Sequence, residues 1–140
     1  MDPVASLRGY QFVEEAIQGG WVSAAHDCSD GGLAVTLAEM AFSGGFGLAV
    51  DLGEIEKALS ISLDELLFSE SAGRIVISVR AEKLSDFRKA MDQLNGSVHV
   101  FELGETTPAK TLQIKAAEGA SVELDNQALK SAWQDTLRDF

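Results

Sequence analysis

The stretch AAHDCSDGGLAVTLAEM, residues Ala24–Met40, joins a strand, a polar turn and a helix, and it decides the fold. Trp21–His26 is predicted to be a short, mostly buried strand because its residues are chiefly small or apolar. The polar, glycine-closed segment Asp27–Gly32 is predicted to be a turn. Leu33–Phe42 is apolar on nearly every side, which is typical of a buried helix. The chain therefore turns from strand to helix across a short polar segment.

Helices and strands alternate along the rest of the chain. Apolar spacing and capping signals predict further helices over Val4–Gln18, Leu63–Phe68, Glu82–Leu94 and Asn126–Leu137. Apolar or alternating runs predict strands over Phe46–Leu52, Ile75–Val79, Val98–Leu103, Thr111–Ile114 and Ser121–Leu124. This mixture predicts an α+β fold, a mixed β-sheet with helices packed on it, in a single domain over residues 1–140.

Two local details refine the helices. The spacing in the first helix predicts one inward face, made of Leu7, Tyr10, Val13, Ala16 and Ile17. In the short helix Leu63–Phe68, Ser62 is predicted to be the N-cap, with Glu65 at the spacing of a capping box.

Composition narrows the classes of function. The chain has 140 residues, of which 46% are apolar, and carries a net charge of −11. Such an acidic protein repels phosphate backbones and anionic lipid, so nucleic acid and membranes are not expected as partners. The lone Cys28 excludes an internal disulfide and a multi-cysteine metal site. With no long apolar run and no apolar leader, a cytoplasmic location is expected, and Met1–Pro3 fits either a natural start or a cut fragment.

The turn Asp27–Gly32 is the first candidate site. Glycines at a helix N-terminus leave backbone N–H groups uncovered, and the helix dipole attracts anions there. Asp27, Ser29, Asp30, Gly31 and Gly32 are therefore candidates for binding a phosphate or nucleotide. The two carboxylates repel a bare phosphate unless a cation lies between them. In the structural alternative, Ser29 or Asp30 is the N-cap and the glycines only make a tight turn.

The second candidate site is the polar turn Ser69–Arg74, which precedes the most β-branched strand. Glu70, flanked by two serines, could bind a substrate amide or sugar, and it could equally cap a helix or pair with Arg74. No catalytic or metal-ligating set is predicted, because His99 is isolated and phosphate-loop and nucleophile-elbow motifs are lacking.

These motifs resemble a known family. Ala24–Met40 is similar to a hallmark of phosphoribosylformylglycinamidine synthase, from which Cys28 and Thr36 are the visible departures. Leu67–Arg74 resembles the same family's LFSES element, and Leu129–Leu137 resembles its extreme C-terminus. The resemblance implies the last domain of a larger synthase, folded like the C-terminal domain of aminoimidazole ribonucleotide synthetase.

The resemblance also implies a reaction. The family converts formylglycinamide ribonucleotide and ammonia, drawn from glutamine, into the amidine, and uses ATP and Mg²⁺. No cofactor is assigned to this chain itself, which is expected to be inactive alone and has no predicted catalytic residue. The implied partners are the N-terminal ATP-binding and sister domains, with glutaminase and small accessory subunits where the enzyme has several chains.

The sequence leaves open whether the family's site residues keep their role in this chain, and which related protein the chain belongs to. A related turn in the family carries Glu-Ser-Gln that contacts substrate, but Ala72 replaces the glutamine here, which puts a substrate role for Glu70 and Ser71 in doubt. Related enzymes with similar turns are aminoimidazole ribonucleotide synthetase, thiamine-monophosphate kinase and hydrogenase-maturation proteins. A third alternative is a non-catalytic assembly module that forms a homodimer through an exposed apolar face.

Overall fold

The structure, a computed structural model, describes residues 2–135. Over these residues the helices are α1 (Pro3–Gln18), α2 (Gly32–Gly44), α3 (Gly53–Leu59), α4 (Leu63–Phe68), α5 (Leu84–Asp92) and α6 (Asn126–Asp135). The strands are β1 (Val22–Asp27), β2 (Gly47–Asp51), β3 (Ile75–Val79), β4 (Gly104–Thr107), β5 (Thr111–Lys115) and β6 (Ser121–Asp125). Helices pack on antiparallel and mixed sheets, so the predicted α+β class is confirmed.

The chain groups into two compact units. Within the described residues, the first comprises 2–27 and 73–101, and the second comprises 28–72 and 102–135. The prediction of a single domain over 1–140 stays a prediction. No helix within residues 2–135 combines the length and the apolar character that crossing a bilayer requires.

In the first unit, a two-stranded sheet carries a small aromatic core. Strands β1 and β3 pair antiparallel, with Asp27 opposite Ile75 at one end. The core centres on Phe12, Ala16 and Phe87, and the Phe12 and Phe87 rings lie 5.2 Å apart. Helices α1 and α5 therefore meet through aromatic contact.

Two predictions for the first unit are wrong in detail. β1 is not mostly buried, since Ser23–Ala25 is exposed. In a two-stranded sheet β1 has only one neighbouring strand, so much of β1 is exposed to solvent. The buried arc of α1 holds Phe12 and Ala16, whereas Leu7, Tyr10 and Ile17 from the predicted inward face are 57%, 48% and 51% exposed.

The second unit is built on a four-stranded mixed sheet in the order β4-β2-β5-β6. β2 runs parallel to β5, and the other neighbours are antiparallel. Leu112 and Ile114 of β5 are buried on one face, where α2 contacts both β2 and β5. This face forms the larger core of the protein.

Helix α2 is enclosed by its neighbours, as its sequence predicts. No residue from 32 to 42 is exposed, and Leu33, Leu37 and Ala41 are buried. The helix packs against α4 and α6, and the rings of Phe42 and Trp133 lie 5.8 Å apart. The N-terminal turn of α2 is therefore fixed to a well-packed element.

The capping box of α4 is confirmed. The Glu65 amide donates to the Ser62 hydroxyl at 3.3 Å, and the Ser62 amide donates to the Glu65 carboxylate at 3.0 Å. This reciprocal pair begins α4 at Leu63, as predicted.

Other element predictions need correction. The segment 98–103 is not a strand; pairing begins only at Gly104, opposite Val50. No helix is predicted over α3, because its seven residues are too short to show apolar periodicity and its N-cap, Leu52, offers no capping side chain. The helix Glu82–Leu94 is present as a 3₁₀ turn followed by α5. The predicted end of the last helix, residues 136–137, lies outside the described residues.

Candidate functional site

The turn before α2 depends on two glycines. Gly31 and Gly32 have φ values of 77° and 65°, a left-handed conformation that is costly for residues with a side chain. The Gly32 amide donates to the Ser29 carbonyl oxygen at 3.0 Å. Gly31, and not Ser29 or Asp30, is the N-cap of α2, so the predicted side-chain cap is wrong.

A carboxylate from the second motif lies at this helix end. The Gly31 amide donates to Oε1 of Glu70 at 2.8 Å, across 39 positions of sequence. We name this hydrogen bond the Gly31–Glu70 clasp. A carboxylate at a helix N-terminus is favoured by the helix dipole and satisfies a backbone donor. The clasp explains the wrong cap prediction, because the capping group comes from a distant segment.

The same two motifs also meet through their backbones. A Cβ atom added to Gly32 would lie 2.7 Å from the carbonyl oxygens of both Leu67 and Ser69. Only glycine permits so close an approach between the start of α2 and the end of α4. The parts of the two candidate sites that belong to the second unit, Ser29–Gly32 and Ser69–Ser71, therefore lie together.

The polar side chains of this site face solvent. Ser29, Asp30, Glu70 and Ser71 are all exposed, whereas Cys28 is buried. Solvent access to these four side chains leaves room for a ligand or for another protein surface.

Thr36, the second departure from the family hallmark, is also buried. Its hydroxyl donates to the Gly32 carbonyl oxygen at 3.0 Å within α2. Both departures therefore change inward-facing positions and leave the exposed polar side chains of the turn unaltered.

Asp27 belongs to the first unit, where it ends β1. Nδ1 of its neighbour His26 lies 2.7 Å from the Asp27 carbonyl oxygen. The structure thus brings Ser29–Gly32 and Glu70 together in one unit and places Asp27 in the other. Sequence reasoning singled out these residues but missed the clasp, because nothing local pairs position 31 with position 70.

Two features of this site weigh against the predicted phosphate. The Glu70 carboxylate already takes the hydrogen bond that the Gly31 amide would give to an anion. The segment 28–72 adds further negative charge, since it holds eight acidic residues and one basic residue, Lys57. Electrostatics therefore disfavour a second anion at the turn.

The described residues contain no ready-made cluster of metal ligands. Over residues 2–135 no group of three or more histidine, cysteine, aspartate or glutamate side chains is placed to hold a metal ion. Asp30 and Glu70 are therefore not assigned as Mg²⁺ ligands.

Comparison with known proteins gives the family. The family described as AIR synthase related protein, C-terminal domain, matches residues 2–117. This chain belongs to that family. The match includes residues of both units.

Two curated relatives, described next, are both named phosphoribosylformylglycinamidine synthase subunit PurL. The relative from Lactobacillus helveticus is 38% identical over 125 residues, which cover 89% of this chain and 15% of the relative. The relative from Methanocaldococcus jannaschii is 39% identical over 128 residues, which cover 91% and 16%. The resemblance seen in the sequence motifs is confirmed, and this chain spans about a sixth of its relatives' length.

Solved structures show the same fold. Thermotoga maritima PurL, complexed with FGAR, aligns with a TM-score of 0.75 and 21% identity over 92% of this chain and 21% of that one. Hydrogenase maturation protein HypE aligns with a TM-score of 0.62 and 18% identity over 82% of this chain and 40% of that one. At such identities the likeness speaks for the fold alone, and it confirms the predicted synthetase-like C-terminal fold.

Proposed function

We propose that this chain acts as the C-terminal domain of a PurL-type phosphoribosylformylglycinamidine synthase in purine biosynthesis. That enzyme would use ATP and ammonia, drawn from glutamine, to convert formylglycinamide ribonucleotide into the amidine. The observation that carries the proposal is the Gly31–Glu70 clasp, which joins the two motifs of the family resemblance. Identity of 38–39% to PurL relatives across both motifs supports it.

Within the parent enzyme, the domain would supply structure and not the reacting groups. Gly32 and Glu70 hold the start of α2 against the end of α4, which gives the exposed side chains of the turn a fixed position. ATP would activate the carboxamide oxygen as a phosphoryl ester, and Mg²⁺ would neutralise the phosphates, with both held by other domains. Within the parent, the domain would therefore complete a cleft. The isolated chain would have no catalytic activity.

The ligands and partners of the parent follow from the same proposal. Solved structures of T. maritima PurL include complexes with ATP, ADP and FGAR, and one is of the assembly PurLQS. By analogy, this domain would work beside N-terminal ATP-binding and sister domains, with glutaminase and small accessory subunits. The phosphate hypothesis for Asp27, Ser29, Asp30, Gly31 and Gly32 stays a prediction. The substrate hypothesis for Glu70 and Ser71 also stays a prediction.

A chimera tests the proposed function. The matching region of L. helveticus PurL is replaced by this chain, and ATP-dependent amidine formation is measured. We expect activity from the chimera and none from the relative that lacks this region or from the 140-residue chain alone. A soluble, folded chimera without activity would contradict the proposal. Turnover by the isolated chain would contradict its non-catalytic role.

A further inference from the structure

Helix α1 carries a second apolar face beside its core face. Leu7, Tyr10 and Ile17 are each about half exposed, at 57%, 48% and 51%, and Val4 is 61% exposed. At about 100° per residue, Leu7, Tyr10 and Ile17 fall within roughly 80° of arc on the helix surface. We name these four residues the α1 stripe. Phe12 and Ala16 occupy a different arc and are already buried in the core of the first unit.

The α1 stripe has the pattern of a buried surface. The sequence alone assigns Leu7, Tyr10 and Ile17 to an inward face, whereas the structure leaves them open. A helix that is apolar on more than one side is normally covered on each of them. Neighbouring exposed apolar side chains of this kind are typical of a protein interaction surface.

Charge argues against a second copy as the covering partner. Glu14 lies within the arc of the stripe, and Nε2 of Gln18 donates to its carboxylate at 3.1 Å. Two identical α1 faces would each bring this carboxylate to the interface, where the four residues of the stripe offer no cationic side chain to pair with it. A partner with an apolar surface and a cationic side chain opposite Glu14 would match the α1 stripe better than a second copy of this chain.

We infer that the α1 stripe docks against the part of a PurL-length parent that lies outside this chain. This inference rests on the proposed function, and it names the contact surface of the domain. The curated relatives hold more than four fifths of their length outside the matched region, so they offer a large partner surface. The partner face is apolar, with at least one lysine or arginine opposite Glu14.

Thiol labelling tests the contact in the full-length chimera described above. Ile17→Cys places a probe in the α1 stripe, and Glu15→Cys places a matched probe on an exposed, neighbouring position of the same helix. The native Cys28 is buried, and mass spectrometry separates its label from the probe's. Maleimide labelling rates are then compared between the isolated chain and the chimera.

We expect Ile17→Cys to react about tenfold or more slowly in the chimera than in the isolated chain, and Glu15→Cys to react similarly in both. Equal rates for Ile17→Cys in both, in an active chimera, would overturn the docking inference and leave the proposed function intact. An inactive chimera with a protected Ile17→Cys would contradict the function and support the contact. A dimeric isolated chain that Leu7→Lys makes monomeric would overturn the inference in favour of a second copy.

Discussion

The two units of this chain differ in charge and in how completely their sheets are covered. Over the described residues, the first unit holds 7 acidic and 6 basic residues, and the second holds 14 and 4. The first has two strands with exposed β1 residues, whereas the second buries α2 on a four-stranded sheet. Isolated two-stranded sheets are marginal in water, so the second unit is expected to be the more stable of the two. The acidic charge is concentrated on the unit that holds the clasp.

The largest expected loss of stability comes from a core substitution that should affect the first unit and not the second. Phe87→Ala removes a ring that contacts Phe12 at 5.2 Å and Trp21 at 6.4 Å. Large-to-small substitutions of this kind cost about 3–5 kcal/mol of unfolding free energy. We expect amide hydrogen exchange to rise in the first unit while the second stays protected. Leu37→Ala, in the second unit, is the matched variant, and exchange that rises equally everywhere would mean that the units unfold together.

The next largest loss of stability is expected when a left-handed glycine of the second unit is replaced. A left-handed glycine of the first unit provides the comparison. Gly32→Ala would force a Cβ atom against two carbonyl oxygens at 2.7 Å, whereas Gly20, with φ 68°, has open space around its Cβ position. We expect Gly32→Ala to cost about 2–4 kcal/mol, from backbone strain and overpacking together. Gly20→Ala should cost only about 1 kcal/mol, from backbone strain alone. Urea unfolding measures both, and equal losses would show that the contact between the motifs is not tight.

A smaller effect is expected from the clasp itself. Glu70→Ala removes the acceptor of the Gly31 amide and should cost about 1 kcal/mol, as the loss of a helix cap does. Glu70→Gln keeps an oxygen acceptor and should cost less than Glu70→Ala. Asp30→Ala, on the same exposed turn, should change stability by no more than about 0.5 kcal/mol. Urea midpoints that place Asp30→Ala below Glu70→Ala would contradict the clasp.

The smallest effect is a pH dependence in the second unit. Hydrogen bonds from the Ser62 amide and hydroxyl hold the pKa of Glu65 below its ordinary value of 4.5. The hydrogen bond from Lys115 and then that from the Gly53 amide hold the pKa of Asp51 below 3.8. Folded-state pKa values below those of the unfolded chain mean that this stabilisation is present above the ordinary pKa and is lost as pH falls through the folded pKa.

The urea midpoint should therefore fall between pH 6 and pH 3 by more in the wild type than in Glu65→Gln, which lacks one of the two carboxyls. These pH values bracket the ordinary glutamate pKa of 4.5. Glu54→Gln is the control, because Glu54 pairs with Lys57 on the exposed surface of α3 and lies outside the capping box. An identical pH profile for wild type and Glu65→Gln would exclude the capping box as a source of this dependence.

Elements with local causes could be predicted from the sequence, and those with distant causes could not. The Ser62 capping box lies within four residues and was predicted correctly. Helix α3 was missed, and one of its contacts comes from far along the chain, where the Ala117 amide donates to Glu56 at 2.7 Å. The strand predicted over 98–103 fails because pairing with β2 starts at Gly104, whose backbone passes too close to Ala49 for a side chain.

The candidate site shows the same limit. The glycines and Glu70 are visible in the sequence as two separate polar turns, and local chemistry supports a phosphate at the first. The clasp weighs against a phosphate there, because Glu70 accepts the hydrogen bond that the Gly31 amide would give to the anion. Only the tertiary structure shows that the two turns meet.

Isothermal titration of the purified chain with ATP, with and without Mg²⁺, tests most directly whether Glu70 prevents anions from binding at the turn. We expect no saturable heat from the folded wild-type chain under either condition. Saturable binding that Asp30→Ala or Gly32→Val abolishes in a folded variant would contradict this. It would make the turn a working nucleotide site.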